Sequence, residues 1–245
     1  MNRNEFFQAL PVTKLLLRLT DAALEIRTDD IEDIHLMVSG ANAAQETLCI
    51  SESAGVLTLE QPLSAMPRAV AASSWIQILI RLPRTWKGAI EARSLTGWMD
   101  LHALTGTDLS LDTISGRIMA VGLDFITLGI RTVTGDVKLN EVHCDRCSLF
   151  SASGILTAMR TSLRSGTASS VTGLITLDLV APFEELTLNT VSGDLCVDAP
   201  ITECDAVLRS VSGRIRTSGI SIVEGTPRLR AATVSGDLDM TSSIE

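Results

Sequence analysis

The stretch that decides the fold is TVSGDL, residues 190–195, which the chain writes again at residues 233–238. Near-copies surround these two: SLTG ending at Gly97, TISG at Gly116, TVTG at Gly135, SASG at Gly154, SVTG at Gly173 and SVSG at Gly213. Counting Gly193 and Gly236, the glycines stand 19, 19, 19, 19, 20, 20 and 23 residues apart. Self-similarity at a fixed period of about 20 is the signature of a solenoid.

The columns around each Gly supply the geometry. Positions two and four after it are mostly aliphatic, as in Ile118 and Ala120, Val137 and Leu139, Leu195 and Val197. Positions seven and five before it are mostly aliphatic too, as in Leu109 and Leu111, or Leu128 and Ile130. Alternation at period two is the mark of a half-buried strand. The two blocks differ in parity, and a one-residue slip turns side chains to the other face. The chain must therefore bend at the Ser/Thr–apolar–Ser/Thr–Gly. The apolar residue two before the Gly, including Val133, Val191 and Val234, is read as inward-facing.

Each copy is then one turn of a parallel β-solenoid: strand, corner, strand, return. Gly suits a corner because it accepts backbone conformations closed to other residues. The expected fold is all-β, a right-handed parallel β-solenoid (β-helix), since parallel crossovers are overwhelmingly right-handed. About eight regular turns of 19–20 residues, ~4.8 Å apart, make a rod of roughly 38 Å. Residues 86–245 are assigned to these turns, and 21–85 to an irregular β start that caps the sheet. There SAGVLTLEQP (Ser53 to Pro62) is a diluted repeat, Ala65 to Val70 a loop, and Trp75 to Pro83 a strong strand. Residues 1–20 are read as a short amphipathic helix broken by Pro11, with Phe6, Phe7, Leu10 and Leu15 to Leu17 on its apolar face.

Composition narrows the function. The chain has 245 residues, 45% hydrophobic but only 3% aromatic, with no Tyr. A thin aliphatic coil is built that way. The net charge of −9 argues against nucleic acid, whose binding depends on clustered Lys and Arg. No run is long enough for a transmembrane helix, and MNRNEFFQALPVTK lacks the apolar core of a signal peptide. The letters as they stand predict a cytoplasmic chain, or an envelope-associated one if they are a piece of a longer protein.

The five cysteines do not suit a secreted disulfide framework. HCDRC, His143 to Cys147, has the residue types for metal binding or redox cycling. The repeat assigns Cys147 to an inward column as a small hydrophobe, and places Cys144 in a return loop. No catalytic, metal or cofactor-binding residue is assigned and no cofactor is expected.

The column just after the Gly faces outward. It carries Trp98, Arg117, Asp136, Ile155, Leu174, Asp194, Arg214 and Asp237. Opposite charges there are expected to pair across turns, each pair contributing about 0.2–1 kcal/mol. Ile155 and Leu174, continuous with Leu163, are read as an exposed apolar stretch. Together with Trp98, Phe6 and Phe7 they form the candidate interaction surface. Asp136, Asp194 and Asp237 share a column as a hydrolase would need, yet are spread along the rod and interleaved with Arg214.

The repeated TVSGDL, TVTGDV and SVSGRI, led by WIQILIRLPRTWKG, resemble the bacterial family of putative adhesins, the DUF4097 β-strand-repeat or toastrack proteins. The resemblance covers roughly 30–245. It implies a β-solenoid, no established catalytic residues, and frequent association with the cell envelope and stress-response gene sets. The opening MNRNEFF is similar to the start of small helical domains that accompany such proteins. The function expected is a non-catalytic scaffold that binds another protein or itself, with a homodimer through the C-terminal solenoid end at residues 233–241. The alternative is a carbohydrate-binding or carbohydrate-active β-helix. A third reading is a filament former built on bare strand edges.

Overall fold

The structure is a computed structural model and describes residues 3–40, 48–61, 76–225 and 227–244. The sequence-predicted loop at Ala65 to Val70 and the strand start at Trp75 lie outside those residues. Every regular element described is a strand. No helix is present among the described residues, and none is long and apolar enough to cross a membrane.

The N-terminal strands are β1 (Arg3–Phe7), β2 (Lys14–Asp29), β3 (Ile34–Gly40), β4 (Cys49–Ser53), β5 (Val56–Glu60) and β6 (Ile76–Pro83). In place of the expected N-terminal helix stand β1 and the start of β2, and β2 is the first full rung of the solenoid. Leu15, Leu17 and Leu19 face inward, the parity flips, and Ala22, Leu24 and Ile26 face inward after it. Alternation at period two wins over the helical reading because each Leu lies directly against the next rung: Leu15 on Ile90, Leu17 on Ala92, Leu24 on Met99. On the other flank β2 pairs in parallel with β5 along its first half and with β6 along its second. Together β5 and β6 make one rung split at its corner. That split rung is closed by antiparallel strands, β4 on β5, β3 on β6, and β1 on β3.

The regular rungs follow: β7 (Ala89–His102), β8 (Thr105–Ser115), β9 (Ile118–Thr132), β10 (Val137–Ser153), β11 (Leu156–Thr172), β12 (Ile175–Leu179), β13 (Glu185–Ser192), β14 (Leu195–Ala199), β15 (Glu203–Ser212), β16 (Ile215–Ser218), β17 (Ser221–Ile222), β18 (Arg228–Ser235) and β19 (Leu238–Ser242). Their pairing is parallel and in register with the repeat, so Leu139 stands between Ala120 and Ala158. The columns two and four after the Gly, and seven and five before it, fill the interior through most of the rod. Burying each such Leu or Ile side chain is worth about 1.5–3 kcal/mol.

The rungs do not stack in chain order to the end. β13 and β14 pair not with β15 and β16 but with β18 and β19. β15 and β16 pair on the far side of β18 and β19. After Ala199 the chain lays down the outermost rung first, then returns and fills the slot beneath it. The 23-residue interval and the long return from Gly219 to Arg228 are the cost of this detour.

The corners explain the Gly column through close approach. A Cβ built on Gly97 would overlap the carbonyl oxygen of Ala22, and one on Gly116, Gly135, Gly154, Gly173 or Gly193 that of the Gly one rung back. The same holds for Gly236 on Gly193 and Gly213 on Gly236, which confirms the rung order. A second bend follows six residues later, where Ala103, Glu141 and Arg160 take φ of 53°, 55° and 49°. Glu141 and Arg160, on adjacent rungs, pair at 2.7 Å.

One column was misassigned from the letters. Val133, Val191 and Val234, expected inside, are 45%, 51% and 50% exposed. The inward position is one residue earlier, the hydroxyl of Thr132, Thr190 or Thr233. The odd-offset block simply continues one step nearer the Gly before the parity changes.

Candidate functional site

The outward Asp column is built for backbone capping. Asp136 Oδ1 accepts the Ile155 N–H at 2.9 Å, Asp194 Oδ1 the Asp237 N–H at 2.7 Å, and Asp237 Oδ1 the Arg214 N–H at 2.8 Å. Each carboxylate satisfies the bent strand of the rung stacked on it. This differs from the expected Arg–Asp charge pairing. Three rungs, roughly 14 Å at the strand spacing, separate Asp136 from Asp194. The three carboxylates therefore do not converge as acid–base catalysis requires.

The cysteine cluster is also placed by the corners. β10 turns His143 outward while burying Cys144 between Phe125 and Leu163 in the ladder. Cys144 is thus not a loop residue. Cys147 lies on the inner face between Leu128 and Gly166. The hydrogen bond with Cys144, and then burial, push the Cys147 thiol up. Burial likewise raises the Cys204 thiol to about 11. Cys147 and Cys204 are structural thiols rather than ready thiolates. No set of three or more His, Cys, Asp or Glu able to hold a metal ion occurs among the described residues.

The expected interaction surface is dispersed. Ile155 is exposed, Leu174 and Trp98 are half-buried, and Leu163 is buried in the core rather than continuing the patch. Phe6 and Phe7 lie on β1 and point to opposite faces. Phe6 meets the His35 ring edge-on at 4.5 Å, and Phe7 packs toward the core. Leu15 and Leu17 belong to the interior.

Two surfaces stand out instead. The first is a groove of about 840 Å³ running across rungs, lined in part by Leu95, Ile114 and Val133 of the column two before the Gly. Arg93, Asp112, Ile114, Arg131, Val133 and Phe150 line it. Among the described residues its one carboxylate belongs to Asp112, 3.5 Å from Arg93.

The second is the open end of the rod. The column two after the Gly is sealed at Ile118, Val137, Leu156, Ile175, Leu195 and Leu238, yet Ile215 in the same column is 43% exposed. Ala206 and Leu208 are only half-buried, and Val211 is 82% exposed. Among the described residues the outer edge of β15 carries only β17, bonded at Glu203 and Cys204. Residues 233–241, expected to form the free end, are an interior rung, paired on both flanks. The sequence-predicted end was displaced because the last rung in the chain is not the last in space. The 23-residue interval before Gly236 marks an irregularity at that point but not the order of the rungs.

Such an assembly, a rod of stacked parallel rungs with one closed and one open end, defines a β-solenoid repeat protein. The Toastrack DUF4097 family model matches residues 12–241, and the chain belongs to that family. Among solved structures it is similar to a putative adhesin from Bacteroides fragilis, with 16% identity, TM-score 0.61, and 99% and 97% of the two chains covered. A putative adhesin from Parabacteroides distasonis gives 12% identity, TM-score 0.64, and coverage of 98% and 97%. A putative lipid binding protein from the same species gives 12% identity, TM-score 0.52, and coverage of 98% and 96%. At these identities the likeness is one of fold. Among curated proteins none matches this chain.

Proposed function

We propose that the protein is a non-catalytic interaction scaffold, adhesin-like or associated with envelope stress, that binds another polypeptide through the open end of its solenoid. One observation carries this reading. A column sealed in the rungs beneath is uncovered at Ile215, beside a strand edge that pairs on its outer side only at Glu203 and Cys204 among the described residues. Exposed edges are templates for strand pairing unless they are protected, and the opposite end of this rod is covered by antiparallel strands. The adhesin names of its structural neighbours agree with a binding role.

A photo-crosslinking side chain at Val211 tests it. In cells this position should capture a polypeptide, and one at Thr187, on a rung paired on both flanks, should not. Equal capture at both positions, or none at either, refutes the reading.

The groove supports a second reading, carbohydrate binding. Arg93, Asp112 and Arg131 offer polar contacts beside Phe150 along a cleft parallel to the rod axis. Its one carboxylate, paired with Arg93, suits binding rather than hydrolysis, which needs two. A glycan array probed with the intact protein and with Arg131→Ala decides it: signal lost in the variant supports the groove, and no signal excludes it.

A further inference from the structure

We propose that the open edge from Ala206 to Ser218 receives an extended, acidic strand from a partner polypeptide, which adds to the ladder as one more rung. This rests on the scaffold reading and names the chemistry of the partner. Asp205 donates its N–H to Pro227 O, on the β18 side. Backbone direction alternates along a strand, so the N–H groups of Ala206, Leu208 and Ser210 face away from β18, toward the open side. They offer the row of donors and acceptors that strand addition uses.

The side chains set the pattern of the incoming strand. Ala206, Leu208 and Ile215 present the uncovered interior, so the strand needs small or aliphatic residues on its inner face. Its outer face meets arginine. Several arginines along the rod pair with a carboxylate on the neighbouring rung, among them Arg93 with Asp112 at 3.5 Å, Arg216 with Asp239 at 3.6 Å, and Arg228 with Asp205 at 3.9 Å. Arg209 and Arg214, both exposed on the outermost rung, have no ion pair among the described residues. On the inner side the Asp237 carboxylate is taken up by the Arg214 backbone N–H, so an added outer rung is the free side from which a carboxylate can reach either guanidinium. A chain of net charge −9 thus presents at its open end two cations with no ion pair among the described residues. An acidic strand completes both the interior and the charge ladder.

The chain's own rung provides the probe. A peptide of residues 185–199 carrying Asn189→Asp and Cys196→Ser sets carboxylates opposite Arg209 and Arg214 when Gly193 is aligned over Gly213. It should bind the full chain, and its counterpart with Asn189→Lys and Asp194→Lys should bind at least about tenfold more weakly, a difference of about 1.4 kcal/mol. Ala206→Pro removes an outward N–H and should abolish binding. Arg209→Glu with Arg214→Glu, both on the surface, should reverse the preference between the two peptides even if the proline variant fails to fold. Equal binding of both peptides, with Ala206→Pro still blocking, overturns the acidic partner and leaves the scaffold reading standing. Binding unaffected by Ala206→Pro and by the Glu variant overturns the site. A full chain that light scattering finds dimeric, and that Ala206→Pro makes monomeric, shows a second copy in the place proposed for the acidic strand and overturns the proposal.

Discussion

The two ends of the rod solve the same problem in opposite ways. At the N-terminal end the split rung of β5 and β6 is faced by β4, β3 and β1, all antiparallel, and Leu57, Leu59, Ile78 and Ile80 are fully buried. Gln61 stands at the corner in place of a hydroxyl residue, and its Oε1 accepts the N–H groups of Thr20 and Asp21 at 2.9 and 3.2 Å. At the C-terminal end nothing comparable covers β15 and β16 among the described residues. Stability in solenoids is approximately a sum of rung and nearest-neighbour terms. The contrast therefore locates the weak end, and a weak, uncovered end is where a partner gains most by adding strands.

The sharpest way to break the comparison is to remove residues 226–245. If rungs stacked in chain order, β15 and β16 would survive, because their inner neighbour would be β13 and β14. In the observed order they lose β18 and β19, their main partners. Hydrogen exchange should therefore show 203–218 exchanging close to the unfolded rate in the truncated protein, while β10 and β11 stay protected. Retained protection over 203–218 would mean that the last two rungs are not interleaved.

Core deletions at the two ends give the next largest effect. Leu24→Ala, in the first full rung, should cost about 3 kcal/mol in urea unfolding, in the range of buried Leu truncations. Ile215→Ala, in the equivalent column of the outermost rung, should cost less than about 1 kcal/mol, because that side chain is already partly in water. Equal costs would mean that the open end is covered in solution.

Much of this contrast was legible in the letters, and the gaps have physical reasons. The period, the Gly column and the inward aliphatics at Ile118, Leu139 and Leu195 were readable because every rung repeats them. Val133 misled because an apolar residue on a surface is ordinary, whereas only a break in parity shows which way it points. The first rung was overlooked because Ala22 stands where the others have Gly, and a run of leucines reads equally as helix until Leu15, Leu17, Leu19 and then Ala22, Leu24, Ile26 are set against the repeat. The order of the last two rungs was not readable, since both satisfy the same column pattern and only long-range pairing separates them. The open edge, and with it the candidate site, followed from that order and was out of reach for the same reason.

The smallest effect concerns the hydroxyl column. Thr132 and Thr233 occupy the same inward position and are both buried. Thr233 Oγ1 donates to Gly193 O at 3.3 Å, in the interleaved part of the rod. Thr132 Oγ1, in the evenly stacked middle, has no hydrogen-bond partner among the described residues. A buried hydroxyl without a partner carries a desolvation penalty that an isosteric methyl does not, whereas a paired one contributes about 1 kcal/mol. Thr132→Val should therefore raise stability by about 1 kcal/mol and Thr233→Val should lower it by about the same amount. Urea midpoints at unchanged m-value would measure both. Opposite signs at equivalent positions would tie the difference to how the rungs stack, since the residue, its burial and its place in the repeat are the same. Matching signs would mean instead that Thr132 finds a partner in solution, and that the evenly stacked middle is as well bonded as the interleaved end.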